Sequence, residues 1–188
     1  MELRGLTKKF GDNVIFDNCD LVFEENKITA VMGRSGRGKT TLLNIIAGLD
    51  TDYSGEIIGS SPCAYIFQEP RLLKGATVLE NTLIGSGFKN REKAIKLLEE
   101  MELSDYINEY PKALSGGMAM RVSMARAFVS GRSVILMDEA FKSLDKDLKY
   151  RLYDMFLRLW NSSGKPTTII VTHDKEEAEY LGDTIIEL

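Results

Sequence analysis

The stretch Gly33-Arg34-Ser35-Gly36-Arg37-Gly38-Lys39-Thr40 decides the fold, because it matches the phosphate-loop pattern in the required context. The apolar run Ile28–Met32 precedes it, and a predicted helix begins at Lys39 and ends at Gly48. Glycines let backbone amides approach an anion closely, and a helix N-terminus adds favourable partial charge. A merely flexible glycine turn would not need this strand and helix, so we expect a phosphate-binding loop.

Two adjacent acids, Asp138 and Glu139, follow the apolar run 134–137, at the strand end where parallel sheets bind their ligands. Adjacent side chains on an extended chain point in different directions, so they can have different roles. We expect Lys39 to bridge the outer phosphates of a nucleotide, and Thr40 and Asp138 to hold Mg²⁺. Glu139 would accept a proton from an attacking water. The alternative is a solvated acidic pair that caps a turn.

Two further polar residues stand at predicted strand ends. His173 is the only histidine, and its expected place beside the strand of Asp138 would let it reach a terminal phosphate. Gln68 follows another predicted strand, and Pro70 biases the residue before it away from helix. A glutamine at such a junction can sense metal and water together. Considered without their context, both residues have an ordinary explanation: a single histidine more often has a structural role, and most glutamines in loops are solvated.

The pattern of elements predicts an α/β fold. Alternating apolar positions at 6–10 and 14–23 indicate an antiparallel ribbon, whereas residues 70–131 are predicted to be almost entirely helix and turn. Strands and helices alternate again from residue 134 onward. One apolar stripe is predicted for each of two helices in the middle of the chain, formed by Ala94, Ile95, Leu97, Leu98 and Met101 and by Met118, Val122, Ala125 and Val129. We therefore expect a parallel-sheet core with a helical insertion.

Composition excludes several classes of protein. The 188 residues are 44% apolar, which suits one sizeable core. The net charge is -4 and no basic block is present, so nucleic acid is not expected as a partner. No secretory signal or apolar run of membrane-spanning length occurs, so a soluble cytoplasmic chain is expected. Cys19 and Cys63 lack metal-binding spacing and are expected to be reduced thiols.

A second motif narrows the interpretation. Leu114-Ser115-Gly116-Gly117-Met118 lies between the phosphate loop and the acidic pair, and Ser143-Leu144-Asp145 lies between that pair and His173. With these elements and Gln68 in this order, the sequence resembles the ATP-binding subunit of ABC transporters over nearly the whole chain. The resemblance implies a P-loop NTPase within a single domain, 1–188. This domain would have a RecA-like core (1–69 and 132–188), an antiparallel β subdomain and an inserted helical subdomain (about 70–131).

The resemblance also implies roles for particular residues. Two copies would sandwich two ATP molecules with Mg²⁺, each copy presenting its Ser-Gly-Gly element to the nucleotide of the other. Phe10 would stack on adenine, although it can equally be an ordinary strand residue, and Asp145 would lie at the dimer interface. The implied catalytic residues are Glu139, His173 and Gln68, and the implied metal-binding residues are Thr40, Gln68 and Asp138. The implied cofactor-binding residues are Phe10, Gly33, Arg34, Ser35, Gly36, Arg37, Gly38, Lys39, Thr40, Thr41, Ser115, Gly116, Gly117 and Asp145.

The implied function is that of an ATPase subunit powering a separate integral membrane permease. Gly-Gly-Met resembles the bacterial importer group for nitrate, sulfonates and taurine, although the family usually has glutamine in place of Met118 and often of Met120. The expected partners are permease subunits, a second copy and a substrate-binding protein, and the expected location is the inner face of the cell membrane. Arg34 and Arg37 either tighten phosphate binding or point to water.

The sequence alone leaves two alternatives to this function open. A non-transport ATPase of the same family, for example in cofactor assembly, would share all the motifs. A small-molecule kinase would leave the Ser-Gly-Gly element and His173 without roles. For a transporter, the permease is expected to contact an apolar groove lined by Pro70, Leu72, Leu73 and Val78, unless these side chains are buried in the subdomain core.

Overall fold

The structure, a computed structural model, describes residues 1–142 and 144–188. Ser143, the first residue of the Ser143-Leu144-Asp145 element, lies outside the described residues. The chain forms two compact units. The first unit contains residues 1–63, 133–138 and 166–188, and the second contains 64–132 and 139–165. The division predicted from sequence, with a helical subdomain at about 70–131, stays a prediction.

An antiparallel sheet forms one part of the first unit. Strands β1 (Glu2–Phe10) and β2 (Asn13–Val22) form the predicted hairpin, and β4 (Ser54–Ile58) pairs with the other edge of β1. Leu3 and Leu6 on β1 are buried, whereas neighbouring positions are more exposed. The two leucines are three residues apart, and the register of the β1–β2 pairing shifts between them, as at a β-bulge, so both can lie on the buried face. The predicted antiparallel ribbon is therefore confirmed.

A parallel sheet forms another part of the first unit. Strands β3 (Ile28–Met32), β6 (Val134–Asp138), β7 (Thr167–Thr172) and β8 (Thr184–Glu187) occur in the order β6-β7-β3-β8. Strand β5 (Cys63–Ile66) is next to β6 in this order and runs from the first unit into the second. The central strands β3 and β7 are almost wholly buried, as both faces of a parallel sheet usually are.

Two helices of the first unit connect to this sheet. Helix α1 (Lys39–Ile46) follows β3, and α6 (Lys175–Leu181) follows β7. The carboxyl ends of β3, β6 and β7 lie at the same sheet edge, because Met32 pairs with Thr172 and Asp138 with Val171. Residues that follow these three strands therefore meet at one edge of the sheet.

The second unit consists mainly of helices. These are α2 (Val78–Ile84), α3 (Arg91–Glu100), α4 (Gly116–Val129) and α5 (Lys146–Ser162). A capping box at Thr77 and Glu80 begins α2, and the Thr77 backbone amide holds the pKa of the Glu80 carboxyl below its ordinary value. Helix α4 contacts the other three helices. It is the centre of the unit.

The burial of α4 differs from the sequence prediction. A single stripe was predicted, but Met120, Met124 and Phe128 are buried in addition to Val122, Ala125 and Val129, while Met118 is only half-buried. A helix surrounded by other helices is apolar on most sides, so a stripe underestimates what it buries. The stripe on α3 is closer to the prediction, with Ala94, Leu97 and Leu98 buried and Ile95 partly exposed.

Gly85, at the end of α2, allows α2 to approach α4 closely. A Cβ atom at this position would overlap the carbonyl oxygen of Arg126 and lie 3.0 Å from Val129 Cγ1. We expect Gly85→Ala to lower the free energy of unfolding by about 3 kcal/mol, because backbone must move to admit the methyl group.

Gly75 is a matched control in the same unit. A Cβ atom added there would have no atom of the described residues within 4 Å, and the φ of Gly75 is not positive. Gly75→Ala is expected to change the free energy of unfolding by no more than about 0.5 kcal/mol. Urea unfolding of both variants measures the difference. Equal stability of the two variants would contradict the close approach of α2 and α4.

Candidate nucleotide-binding site

The predicted phosphate loop connects β3 to α1. Gly36 and Gly38 have φ of 82° and 87°, a region that side chains with a Cβ rarely adopt. Lys39 is 5% exposed, and its Nζ donates hydrogen bonds to the carbonyl oxygens of Gly33 at 2.7 Å and Arg34 at 3.1 Å. The loop therefore wraps around the lysine ammonium, which is a suitable position for contacting the outer phosphates of a nucleotide.

The β1–β2 hairpin packs against this loop at Gly38. A Cβ atom on Gly38 would overlap Ile15 Cγ2 and lie 3.0 Å from Phe16 Cζ. Gly38 is also the N-cap of α1, in the left-handed conformation. The glycine is therefore required both by the backbone conformation and by the packing of β2.

Thr40 and Asp138 come together although they are far apart in sequence. Thr40 Oγ1 donates a hydrogen bond of 3.0 Å to Asp138 Oδ1. Thr40 is in the first turn of α1, and Asp138 is the last residue of β6. A hydroxyl and a carboxylate are oxygen ligands of the kind Mg²⁺ takes when nucleotide phosphates complete its coordination. These two residues therefore fit the predicted cation.

A metal held by protein ligands alone is not supported in the part of the chain that the structure describes. No group of three or more histidine, cysteine, aspartate or glutamate side chains suited to a metal ion occurs there. Mg²⁺ in nucleotide sites usually needs only one or two protein oxygens beside the phosphates and waters. The Thr40–Asp138 pair is consistent with that mode of binding.

His173 lies at the same sheet edge as the phosphate loop. It is exposed, immediately follows β7, and lines a cavity of about 650 Å³ together with Gly33, Arg34 and Arg37. The remaining lining residues are Met32, Glu187 and Leu188. Arg34 and Arg37, whose roles the sequence left open, therefore border this cavity even though both side chains are largely exposed. The cavity places two positive side chains and an imidazole beside the loop, together with the carboxylate of Glu187.

Two of the predicted catalytic residues belong to the second unit. Glu139 has φ of 44°, the left-handed region that non-glycine residues occupy only at a cost of backbone strain. Its Oε2 accepts a hydrogen bond from Lys142 Nζ at 2.5 Å, and this forms an ion pair. Gln68 is exposed and follows Phe67, whose ring stacks on Tyr65 and lies 3.9 Å from the Arg71 guanidinium. Strain at Glu139 is typical of a residue placed for function.

The Ser-Gly-Gly element begins α4. Ser115 is the N-cap, and its Oγ accepts a hydrogen bond of 3.2 Å from the Met118 backbone amide. Ser115 and Gly116 are exposed, whereas Gly117 is buried and a Cβ there would lie 2.7 Å from Leu148 Cδ2. The serine hydroxyl and the amides of this helix end are therefore presented at the surface, where they can bind an anion.

The same geometry explains why methionine can replace the usual glutamines. Met118 contributes its backbone amide to the cap, which any residue but proline can supply. Met120 is 3% exposed and packs in the core of the second unit. The helix cap is therefore formed without either methionine side chain.

Of the remaining predicted residues, one ends β1, two are in or next to the phosphate loop, and one begins α5. Phe10, at the end of β1, is 53% exposed, as expected for a side chain available for stacking. Ser35 is exposed and Thr41 is half-buried beside the loop. Asp145 is the N-cap of α5, where its Oδ1 accepts a hydrogen bond of 3.0 Å from the Leu148 amide. Asp145 therefore has a structural role in addition to the predicted one.

Sequence reasoning missed two lysines near predicted site residues. Lys142 pairs with Glu139. Residues 139–142 form a bend and turn, where the three-residue spacing that pairs side chains on a helix does not apply, so no local signal indicated this pair. Lys8 lies close to the Phe10 ring, with Nζ 4.6 Å from the ring centroid. A lysine two residues before an aromatic residue is too common in strands to have singled out Lys8.

No helix among residues 1–142 and 144–188 is long and apolar enough to cross a membrane.

A protein-family model described as ABC transporter matches residues 16–142. Two similar proteins are each named aliphatic sulfonates import ATP-binding protein SsuB 1. The one from Mesorhizobium japonicum is 38% identical over 194 residues, covering 97% of this chain and 73% of its own. The one from Pseudomonas fluorescens is 39% identical over 189 residues, covering 100% of this chain and 73% of its own.

Solved structures show the same fold. The chain is similar to MJ0796, described as a bacterial ABC transporter cassette, with a TM-score of 0.84 and 30% identity over 100% of this chain and 93% of that one. MJ0796 has been solved as a dimer, including a post-hydrolysis state bound to ADP and Pi. The predicted α/β P-loop NTPase fold is therefore confirmed.

Gly38→Ala is expected to damage the site through packing as well as through backbone strain. The new Cβ would collide with Ile15 and Phe16, so the loop must shift and MgATP affinity should fall. Gly48→Ala is the matched control, since Gly48 has φ of 70° and a Cβ there would meet no described atom within 4 Å. We expect Gly38→Ala to lose about 2 kcal/mol more unfolding free energy than Gly48→Ala. Denaturant unfolding and nucleotide titration measure both effects, and equal losses would refute the packing argument.

Proposed function

Because the chain belongs to the ABC transporter family, we propose that it binds and hydrolyses MgATP to power a separate membrane permease. The observation that carries this proposal is the convergence of Lys39, Thr40 and Asp138. The Lys39 ammonium is buried in the phosphate loop, and the Thr40 hydroxyl is 3.0 Å from the Asp138 carboxylate. One site thus offers a cation for phosphates and two oxygens for Mg²⁺.

Each predicted residue has a distinct part in hydrolysis. The loop amides and Lys39 would bind the β- and γ-phosphates, and Thr40 and Asp138 would hold Mg²⁺, whose charge would neutralise that of the phosphates. Glu139 accepts the proton of the attacking water, and Gln68 orients that water. His173, which lines the cavity beside the loop, donates to the γ-phosphate. Positioning and charge stabilisation account for most catalysis of phosphoryl transfer, so these few groups suffice.

A second copy of the chain completes the site. Ser115 and Gly116 are exposed at the start of α4, where a hydroxyl and helix amides can bind the γ-phosphate held by the other copy. ATP then joins the two copies, and hydrolysis removes the joining phosphate. The dimeric cassette of MJ0796, 30% identical to this chain, supports this arrangement.

The transported substrate is a small anion of the sulfonate class. Relatives of 38% and 39% identity are named for aliphatic sulfonate import, and the chain carries the Gly-Gly-Met variant of the signature. Import of this kind needs a permease and a substrate-binding protein as further partners. The subunit would then act at the inner face of the cell membrane, bound to the permease.

The predicted permease contact requires one correction. Val78 is fully buried, so it cannot line a docking groove. Leu73 is 56% exposed, and both its backbone amide and its carbonyl are held by the Asn81 side chain. Arg126 binds the carbonyl oxygens of Pro70 and Arg71. The segment 70–73 is thus fixed from two helices while Leu73 projects outward, which suits a contact with a permease helix.

Glu139→Gln separates binding from hydrolysis. The amide keeps an acceptor oxygen for Lys142 but cannot take a proton, so kcat should fall about 100-fold or more while MgATP still binds. Phosphate release gives kcat, and gel filtration with MgATP should reveal a trapped dimer. As a control, Lys39→Ala should weaken MgATP binding itself. Turnover of Glu139→Gln at the wild-type rate would show that Glu139 is not the base.

Leu73 should crosslink to the permease. In a chain whose Cys19 and Cys63 are replaced by serine, Leu73→Cys carrying a photoreactive probe should label a copurified permease subunit. Leu49→Cys is the matched control, because Leu49 is equally apolar and 66% exposed in the first unit. Mass spectrometry of the products decides the result. Absence of Leu73 crosslinks in a transport-competent complex would exclude this contact.

A further inference from the structure

Lys8 is a buried cation with an unusually complete set of partners. Its side chain is 2% exposed, and its Nζ donates hydrogen bonds to Asp50 Oδ1 at 2.9 Å and to the Asp52 carbonyl oxygen at 2.5 Å. Asp52 Oδ2 lies 3.4 Å away. The hydrogen bond to Asp50 raises the pKa of Lys8, so the ammonium stays charged. Burying a charge is costly unless it is paired, and here it is fixed by three oxygens.

This ammonium also lies over the ring of Phe10. The distance from Nζ to the ring centroid is 4.6 Å, within the range of a cation–π interaction. Lys8 and Phe10 are two residues apart on β1, so their side chains share one side of the strand. Phe10 remains 53% exposed. The ring is therefore anchored by the cation while much of its surface stays available.

The anchor connects the aromatic ring to the phosphate loop. Asp50 follows α1, and its backbone amide donates to the carbonyl oxygen of Asn44 within that helix. At the other end of α1, Ile15 and Phe16 of the same hairpin pack at Gly38. The hairpin that carries Phe10 is thus attached to both ends of the helix that begins at the phosphate loop.

We propose that Lys8 is a positioning residue for the nucleotide base, an inference that rests on the proposed function. Its ammonium fixes the Phe10 ring at a set distance from the phosphate loop, so adenine can stack while Lys39 holds the phosphates. Without the cation, Phe10 at an exposed strand end would sample other rotamers. The Phe10 side chain would then lose its conformational entropy when the base binds, and this cost would reduce the affinity for the base.

The test compares a ligand that has a base with one that lacks it. Calorimetry on the full chain measures affinity for MgATP and for magnesium tripolyphosphate. We expect Lys8→Met to weaken MgATP binding about fivefold, since the ring loses the cation–π contact that orders it before the base binds, and to leave tripolyphosphate binding unchanged. Lys8→Arg keeps a cation over the ring and should restore most of the MgATP affinity. Lys9 is an exposed neighbour on β1, so Lys9→Met should change the affinity for neither ligand.

A double-mutant cycle with Phe10→Ala isolates the proposed route. If Lys8 acts through the ring, Lys8→Met adds no further loss of MgATP affinity once Phe10 is alanine. Asp50→Asn is a second variant, which weakens the hold on the ammonium but keeps an acceptor oxygen, and it should show a smaller loss confined to MgATP. It supplies the test if Lys8→Met does not fold.

Three results would overturn the inference. Equal losses for MgATP and tripolyphosphate would mean that Lys8 only stabilises the fold. An undiminished effect of Lys8→Met in the Phe10→Ala chain would mean that it does not act through the ring, and unchanged MgATP affinity would mean no role in binding. Failure of the wild-type chain to bind either ligand would instead contradict the proposed function, on which this inference rests.

Discussion

The buried ammonium of Lys39 is the interaction on which the first unit depends. Carbonyl oxygens of Gly33 and Arg34 accept its hydrogen bonds, and this requires a loop that turns tightly through glycines before α1 begins. A charge so deeply buried is stable only with fixed polar partners. The strand before the loop, the helix after it and the hairpin packed at Gly38 hold these partners in place. Geometry suited to phosphate therefore follows from the same contacts that make the unit fold.

In the second unit, the start of one helix is exposed while the rest of that helix is buried. Helix α4 is surrounded by three other helices, yet Ser115 and Gly116 at its start stay at the surface. The close approach at Gly85 and the contact of Gly117 with Leu148 fix this position. Rigid support for an exposed hydroxyl and amide cluster is what a site completed by another copy of the chain needs.

Patterns with a local physical cause were predictable. Alternation of apolar residues indicated the β1–β2 hairpin, and the glycine at position 48 marked the end of α1 to within two residues, since α1 ends at Ile46. Packing between distant segments was harder to predict from the sequence. The stripe predicted for α4 missed Met120, Met124 and Phe128, and Val78 was expected in a groove but is buried. A periodic pattern reports one apolar face, and cannot report how many neighbours surround an element.

The sequence alone determined the order of elements, the phosphate loop and the family resemblance, because each depends on residues within a short segment. Only the tertiary structure decided which distant groups meet. Thr40 and Asp138 are 98 residues apart, and Lys8 and Asp50 are 42 apart, yet each pair is within hydrogen-bond distance. Pairs like these depend on strand order and on the packing of whole elements. No local spacing encodes them, so they appear only when the chain is folded.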